Sequence, residues 1–232
     1  MATRQGTGRT ALTREALADA TLRLLEREGP GGLSMRKVAA EVGVQAASLY
    51  WHVQNKEELL DLASDALWDG LEPGPPGEPA APGGGWREEV AEASRRLRAH
   101  LLAHHSAVRV LAGHFAPGPR ALAPMERLLA VLRGAGFGGP DAAHAAYLLS
   151  TWVQGFVIHE AVPMSAAEER GATPEEAAAE ARERLAALPA DRYPHLVELA
   201  AEISGPGMDS RFEFGLARLL DGLEQLRGRA GD

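Results

Sequence analysis

Residues 34–56, SMRKVAAEVGVQAASLYWHVQNK, decide how this chain is read. Ser34 stands where a helix N-cap belongs, with Leu33 and Val38 spaced as a hydrophobic staple across it. Gly43 ends this first short helix, and a second is predicted from about Ala46 to His52. Asn55 and Glu58 form an N-x-x-E variant of the capping box and open a further helix, running from Lys56 to about Trp68. Two short helices around a glycine turn are a helix-turn-helix, a geometry that lays the second helix in the major groove of DNA.

Upstream, Thr13 to Glu28 reads as a helix with Leu17, Ala20, Leu24 and Leu25 on one face, capped by Thr13 and stopped by Gly29-Pro30-Gly31-Gly32. Val38, Ala39, Val42, Val44, Leu49 and Val53 are expected to form the small core of this head. Downstream, ten of the fifteen residues from Leu71 to Gly85 are Pro or Gly, which forbids a regular helix and predicts a linker. From Trp86 onward the pattern is helical throughout, with helices predicted over 86–105, 107–114, 120–135, 140–160, 174–188, 195–203 and 209–227. Thr173-Pro174-Glu175-Glu176 is a strong helix start, and Met164 to Gly171 reads as a loop. The expected fold is all-α: a helix-turn-helix domain over 1–56, a connecting helix over 57–70, a linker over 71–85 and a larger helical domain over 86–232.

The net charge of -8 is unevenly spread. Residues 1–56 carry eight Arg or Lys against five Asp or Glu, so the head is +3 and the remainder -11. A basic head on an acidic body still attracts phosphates, because the local field governs that encounter. The chain has no cysteine, which excludes disulfides and thiolate chemistry and fits a reducing cytoplasm. No apolar run approaches the roughly 18 residues of a membrane span, and the first residues lack an apolar signal core, so neither membrane insertion nor export is expected. The sequence contains no G-x-S-x-G, HExxH, P-loop or dinucleotide fingerprint, so an enzyme carrying an attached DNA-binding head is the weaker reading. No cofactor is called for.

Base reading needs a short helix whose first residues reach base edges while flanking groups grip phosphates. Gln45, Ala46, Ala47 and Ser48 open the predicted second helix of the motif. The Gln45 amide suits adenine, the alanine methyls suit thymine, and Arg36 suits guanine. Ser34, Tyr50, His52 and Lys56 are placed to hold the phosphate backbone. Trp51 is read as part of the DNA-facing set and partly as core.

The block from Thr13 to Leu62, above all LYWHVQNKEELLD, resembles the Tet repressor family of bacterial regulators. Trp86, the run AHLLAHHSAVRV, Gly136-Phe137, Gly155 and the closing FEFGLARLLDGLEQL are similar landmarks in the body. The resemblance implies a two-fold homodimer, a palindromic operator, and repression relieved by a small molecule. In the family the residue after Gln45 is often polar and base-reading, and a proline commonly follows; here they are Ala46 and Ala47, so the operator need not be the tetracycline one.

The body supplies a pairing surface and a pocket. Phe212, Gly215, Leu216, Leu219, Leu223 and Leu226 share a face, while 140–160 is apolar nearly all round, as Leu149, Trp152, Val153, Phe156 and Val157 show. The resemblance implies that these two elements build a four-helix dimer bundle. An effector pocket is expected among the helices of 86–160. Its apolar candidates are Leu97, Leu111, Phe115, Leu128, Trp152 and Phe156; its polar ones are His100, His114, His159 and Glu160, with His104, His105 and His144 nearby. Tetracycline-binding members hold a drug-chelated divalent ion through a histidine and a glutamate. Those positions fall here on Leu111 and His159, and a polar drug-contacting position falls on Ala93, so a bulky, largely apolar effector is expected instead. His100 and His104, four apart on one helix face, keep open an alternative: a metal-responsive regulator using body histidines. Lys56 to Trp68 is the natural lever between head and body.

Overall fold

The computed structural model describes residues 12–71, 85–111, 118–171, 173–205 and 207–227. The expected linker, all but its two ends, and the pocket candidates His114 and Phe115 fall outside these residues. The described residues form α-helices joined by short turns, with no strand among them, so the fold is all-α. Two compact units result: Met1–Gly70 with Val110–Leu122, and Leu71–Arg109 with Ala123–Asp232.

In the first unit, α1 (Arg14–Glu28) is capped by Thr13, whose hydroxyl accepts the Ala16 N–H, and is closed by Gly29. Ser34 caps α2 (Met35–Glu41) by accepting the Lys37 N–H. The turn to α3 (Ala46–Leu49) passes through Gly43 at φ 72. A Cβ there would meet no atom within 4 Å, so the left-handed backbone, not crowding, is what calls for glycine. Asn55 caps α4 (Lys56–Ala66) through Glu58 N–H, 2.9 Å from Asn55 Oδ1. Glu58 Oε2 reaches back to Gln54 N–H rather than to the cap residue itself, one position earlier than the usual reciprocal box. Leu17, Leu24, Leu25, Val38, Leu49 and Leu59 are fully buried and hold α1 to α4 together. Thr21 is buried among them and satisfies its hydroxyl on the Leu17 carbonyl.

Two expectations for the head need correction. The second helix of the motif closes at Leu49 instead of reaching His52; Tyr50 to His52 continue as turn, with His52 and Val53 N–H groups both donating to the Leu49 carbonyl. Val42 and Val44 are half-buried rather than core, because they line an open cleft of about 280 Å³ with Leu12 and Ala16.

The second unit contains α5 (Trp86–Ala103), most of α6 (His105–Leu111) and of α7 (Leu122–Gly134), then α8 (Gly139–Arg170), α9 (Pro174–Ala186), α10 (Pro194–Glu198), α11 (Ala200–Ser204) and α12 (Met208–Arg227). Most of the expected loop over Met164 to Gly171 is instead the end of α8, which stops at Arg170 with Gly171 in the turn beyond it. Pro163 forfeits one backbone donor, which is what suggests a break in the sequence, but the Ala- and Glu-rich residues beyond it are strong helix formers and carry the helix to Arg170. The expected single helix over 195–203 is two, parted at Leu199. The α9 start is as the sequence predicts: Thr173 and Glu176 form a reciprocal capping box with Pro174 at the first position.

Long side chains bind α5 to α12 along their length. Trp86 Nε1 donates to Glu224, Arg87 pairs with Asp221 at 2.6 Å, Arg95 grips Glu213 through two nitrogens at 2.8 and 2.9 Å, and Arg98 meets Asp209 at 2.7 Å. Trp86 also packs edge-on against Phe137, 5.2 Å between centroids, which accounts for two of the landmarks in the sequence.

Candidate nucleic-acid interface and effector site

The residues expected to read DNA differ in how far they reach solvent. At α3, Gln45 and Ala47 are exposed, Ala46 and Ser48 are half-buried, and Leu49 at the far end is fully buried, so the helix is anchored by its last residue and open at its first. Tyr50 is more than half exposed and Trp51 is 90% exposed; the partial core role expected for Trp51 is therefore wrong. The reason is the early end of α3: the turn that follows rotates Trp51 away while Val53 takes the core position. Ser34, Arg36 and Lys56 are exposed and His52 is half-buried.

Ion pairing sorts the cations of this unit. Arg27 is engaged by Glu41 at 2.8 Å and Lys37 by Glu28 at 2.6 Å. Hydrogen bonding from Lys37 holds the Glu28 carboxyl below the usual carboxylate range. Arg36 and Lys56 meet no carboxylate within ion-pair distance among the described residues. Their charge is available to phosphates or to guanine.

The turn Pro119–Ala121 also belongs to this unit, and docks on α1 and α4. Arg120 N–H donates to Asp65 Oδ1 at 3.1 Å, and its guanidinium lies 3.0 Å from Asp69 and 3.6 Å from Asp19. Gly118 packs so closely on Asp65 that a Cβ there would overlap the carboxylate. Arg120 thus ties a strap of chain to three carboxylates of the head, two through its guanidinium and one through its backbone N–H.

In the second unit, Leu97 and His100 are half-buried on α5 and Leu128 is half-buried on α7; Leu111, at the end of α6, is buried and belongs to the first unit. On α8, Trp152 and Phe156 are half-buried, Glu160 is buried, and His159 is exposed on the side of Thr151 and Gly155. Trp152 stacks on Phe212 at 4.9 Å, and Phe156 meets Phe212 edge-on at 5.2 Å. A Cβ on Gly215 would come within 2.6 Å of the Trp152 ring, so this close approach depends on glycine.

Two residues here were missed by sequence reasoning as site groups: Arg98 and Phe212. Arg98 lies over the Phe212 and Phe156 rings at 4.9 and 5.6 Å and clasps both oxygens of Glu160 at 2.9 and 2.7 Å. Arg98 falls on the buried face of α5 with Val90, Ser94 and Leu101, and a guanidinium at such a position requires a buried acid. That spacing was the available signal. Because Glu160 is committed to Arg98, it is not a spare carboxylate for a chelated ion. His100 and His104 rings lie edge-to-face at 5.2 Å, yet no group of three or more His, Asp or Glu among the described residues is arranged to hold a metal ion. The metal-responsive alternative gains no support from this arrangement.

A second surface is set by exposure. On α8, Tyr147 is 73% exposed, and Leu148, Thr151 and Gly155 are exposed with it; on α12, Phe214 is 70% exposed, with Arg218 and Gly222 exposed beside it. No described helix is long and apolar enough to cross a membrane.

A helix-turn-helix head with an all-helical body defines a class of DNA-binding regulator, and comparison with known proteins gives the family. The pattern described as "Bacterial regulatory proteins, tetR family" matches residues 17–63, and "Tetracyclin repressor-like, C-terminal domain" matches residues 78–227. The chain belongs to the TetR family of transcriptional regulators. It is 34% identical over 219 residues to the HTH-type transcriptional repressor DrrR1 of Streptomyces coeruleorubidus, covering 93% of this chain and 78% of that one. It is 34% identical over 218 residues to the class A tetracycline repressor of transposon 1721 in Escherichia coli, covering 94% and 93%. Among solved structures, apo ActR of Streptomyces coelicolor superposes with a TM-score of 0.78 at 35% identity, covering 96% of this chain and 99% of that one. ActR with actinorhodin gives 0.77 at 34% identity, covering 96% and 100%.

Proposed function

We propose that the chain is a ligand-responsive transcriptional repressor that binds a palindromic operator as a homodimer and is released by a bulky, largely apolar effector. The observation that carries this is the head: an α3 open at Gln45–Ser48 and anchored at Leu49, flanked by the cations Arg36 and Lys56, which no carboxylate among the described residues engages. One such head makes too few contacts for useful specificity; two joined by symmetry add their contacts and fix the half-site spacing. The exposed faces of α8 and α12, with Tyr147, Leu148 and Phe214, suit that pairing; the α12 face expected from the sequence, with Phe212, Leu216 and Leu223, is buried within the chain instead. Six of the ten candidate effector residues are apolar, as suits an apolar effector, and the ActR relative has been solved with actinorhodin. The direct test is a gel-shift titration on the duplex upstream of the protein's own gene, with and without actinorhodin as a probe. Binding to no upstream duplex at low salt rejects the reading of the head.

Release is a shift between two head spacings, so the effector must bind the wrongly spaced form more tightly. Couplings in such systems are about 1–3 kcal/mol, or roughly 5- to 150-fold in affinity. The strap at Pro119–Ala121 is the element through which this passes: it follows α6, leads into α7, and rests on α1 and α4 through Arg120. Arg120→Ala is expected to shrink the effector-dependent change in operator affinity by about fivefold or more. An unchanged ratio of affinities with and without effector rejects the strap as the route.

Arg36→Ala is expected to cost about 1–3 kcal/mol on the operator and to relax a single base position. Lys56→Ala should weaken all duplexes alike and lower the salt slope by about one. Equal losses on operator and random DNA for Arg36→Ala would contradict its base-reading role.

A further inference from the structure

Arg14, the first residue of α1, makes a contact that links three elements of the head. Its Nη1 donates to the His52 carbonyl at 2.5 Å and lies 2.7 Å from Glu58 Oε1. The other Glu58 oxygen accepts the Gln54 N–H at 2.8 Å. The short turn from His52 to Gln54 is therefore held at both ends, by a residue of α1 and by the first turn of α4. Val53, between them, is fully buried. Immediately before this turn come the exposed Tyr50 and Trp51, and before those, α3.

The geometry points to Arg14 as a positioning residue for DNA recognition: with Glu58 it fixes the turn after α3, so that α3 and the phosphate-gripping side chains at 50–52 are presented in one pose. α3 is only four residues long and cannot set its own orientation by internal hydrogen bonding. The carbonyl of His52 follows the end of the helix and needs a donor from elsewhere. The Glu58 carboxyl is held below the usual carboxylate range, first by the Gln54 N–H and then by Arg14, so it carries its charge at neutral pH. Because Arg14 is matched by this carboxylate, its charge is spent inside the head, unlike that of Arg36 and Lys56.

This inference rests on the DNA-binding reading above, and the experiment separates the two. Fluorescence anisotropy is measured over a NaCl series on the upstream duplex and on random DNA, for the full-length wild type, Arg14→Ala, Glu58→Gln and the double variant. Arg14→Ala and Glu58→Gln are each expected to lose about tenfold on the operator, with two heads contributing per dimer, and clearly less on random DNA. The salt slope should be unchanged, and the double variant should lose no more than either single one, because both break the same network. A slope lowered by about one per head, with equal loss on both duplexes, makes Arg14 a phosphate contact and overturns the inference. So does unaltered operator affinity in both variants. If circular dichroism shows Arg14→Ala unfolded, Glu58→Gln decides; unfolding of both assigns the network to stability and likewise overturns it. Wild type that binds no duplex sinks the DNA-binding reading instead.

Discussion

Arg98→Ala is expected to destabilise the protein by about 3–5 kcal/mol, the loss typical when one partner of a buried ion pair is removed. The side chains of Arg98 and Glu160 are 12% and 8% exposed, and Glu160 has both oxygens on the guanidinium. Truncating the arginine leaves a nearly solvent-free carboxylate with no donor among the described residues, beside two aromatic rings that have lost their cation. Unfolding in urea, followed by circular dichroism at fixed protein concentration, measures the change; in a thermal scan it corresponds to a fall in Tm of about 6–20 °C. Asp209→Asn, at the same guanidinium, should change little, because that carboxylate is 90% exposed and solvent screens it. Arg98→Met with Glu160→Leu should recover most of the loss, since an apolar pair of similar volume spares the desolvation of two charges. If Arg98→Ala and Asp209→Asn cost the same, the pair is not buried in solution and the account of this site fails.

The Arg98 site shows where sequence reading stops. Local signals carried the head: caps at Thr13, Ser34 and Asn55 each depend on residues three or four apart and form as the spacing predicts, and Gly43 turns the chain after α2 as its residue type predicts. The same local rules failed where a long-range partner or a cumulative propensity decides. Pro163 reads as a stop, but the residues after it outweigh one lost hydrogen bond, and α8 runs to Arg170. Trp51 reads as half core, but burial in a three-helix head is settled by which of Trp51 and Val53 follows the end of α3 into the interior, and that end is set by tertiary packing. Glu160 was legible as a polar group in an apolar stretch; its partner, 62 residues earlier on α5, was not. An arginine among Val90, Ser94 and Leu101 announces a buried acid without saying which.

Phe214→Glu, combined with Tyr147→Glu, is expected to leave a folded monomer whose operator affinity is at least about 100-fold weaker. Both rings are more than two-thirds exposed in the single chain, and both occur on helices whose opposite faces are fully engaged: Val153 and Val157 on α8, Phe212 and Leu216 on α12. Large exposed aromatics flanked by small residues such as Gly155 and Gly222 are what an interface between helices requires, because rings need partners and backbones need close approach. A two-fold axis makes such a surface meet itself, so each substitution enters the interface twice and sets like charges near one another across it. Since neither ring is fully buried within the chain, helix content by circular dichroism should be retained while sedimentation reports half the mass. The DNA effect follows from the assembly: a dimer adds the contacts of two heads at fixed spacing, and a monomer forfeits one set together with the rigid link between them. On random DNA the loss should be smaller, because nonspecific binding needs phosphates and no half-site spacing. A double variant that sediments as wild type and binds the operator as wild type would place the pairing surface elsewhere on the body, and would separate the exposed α8–α12 face from any role in holding two heads in register.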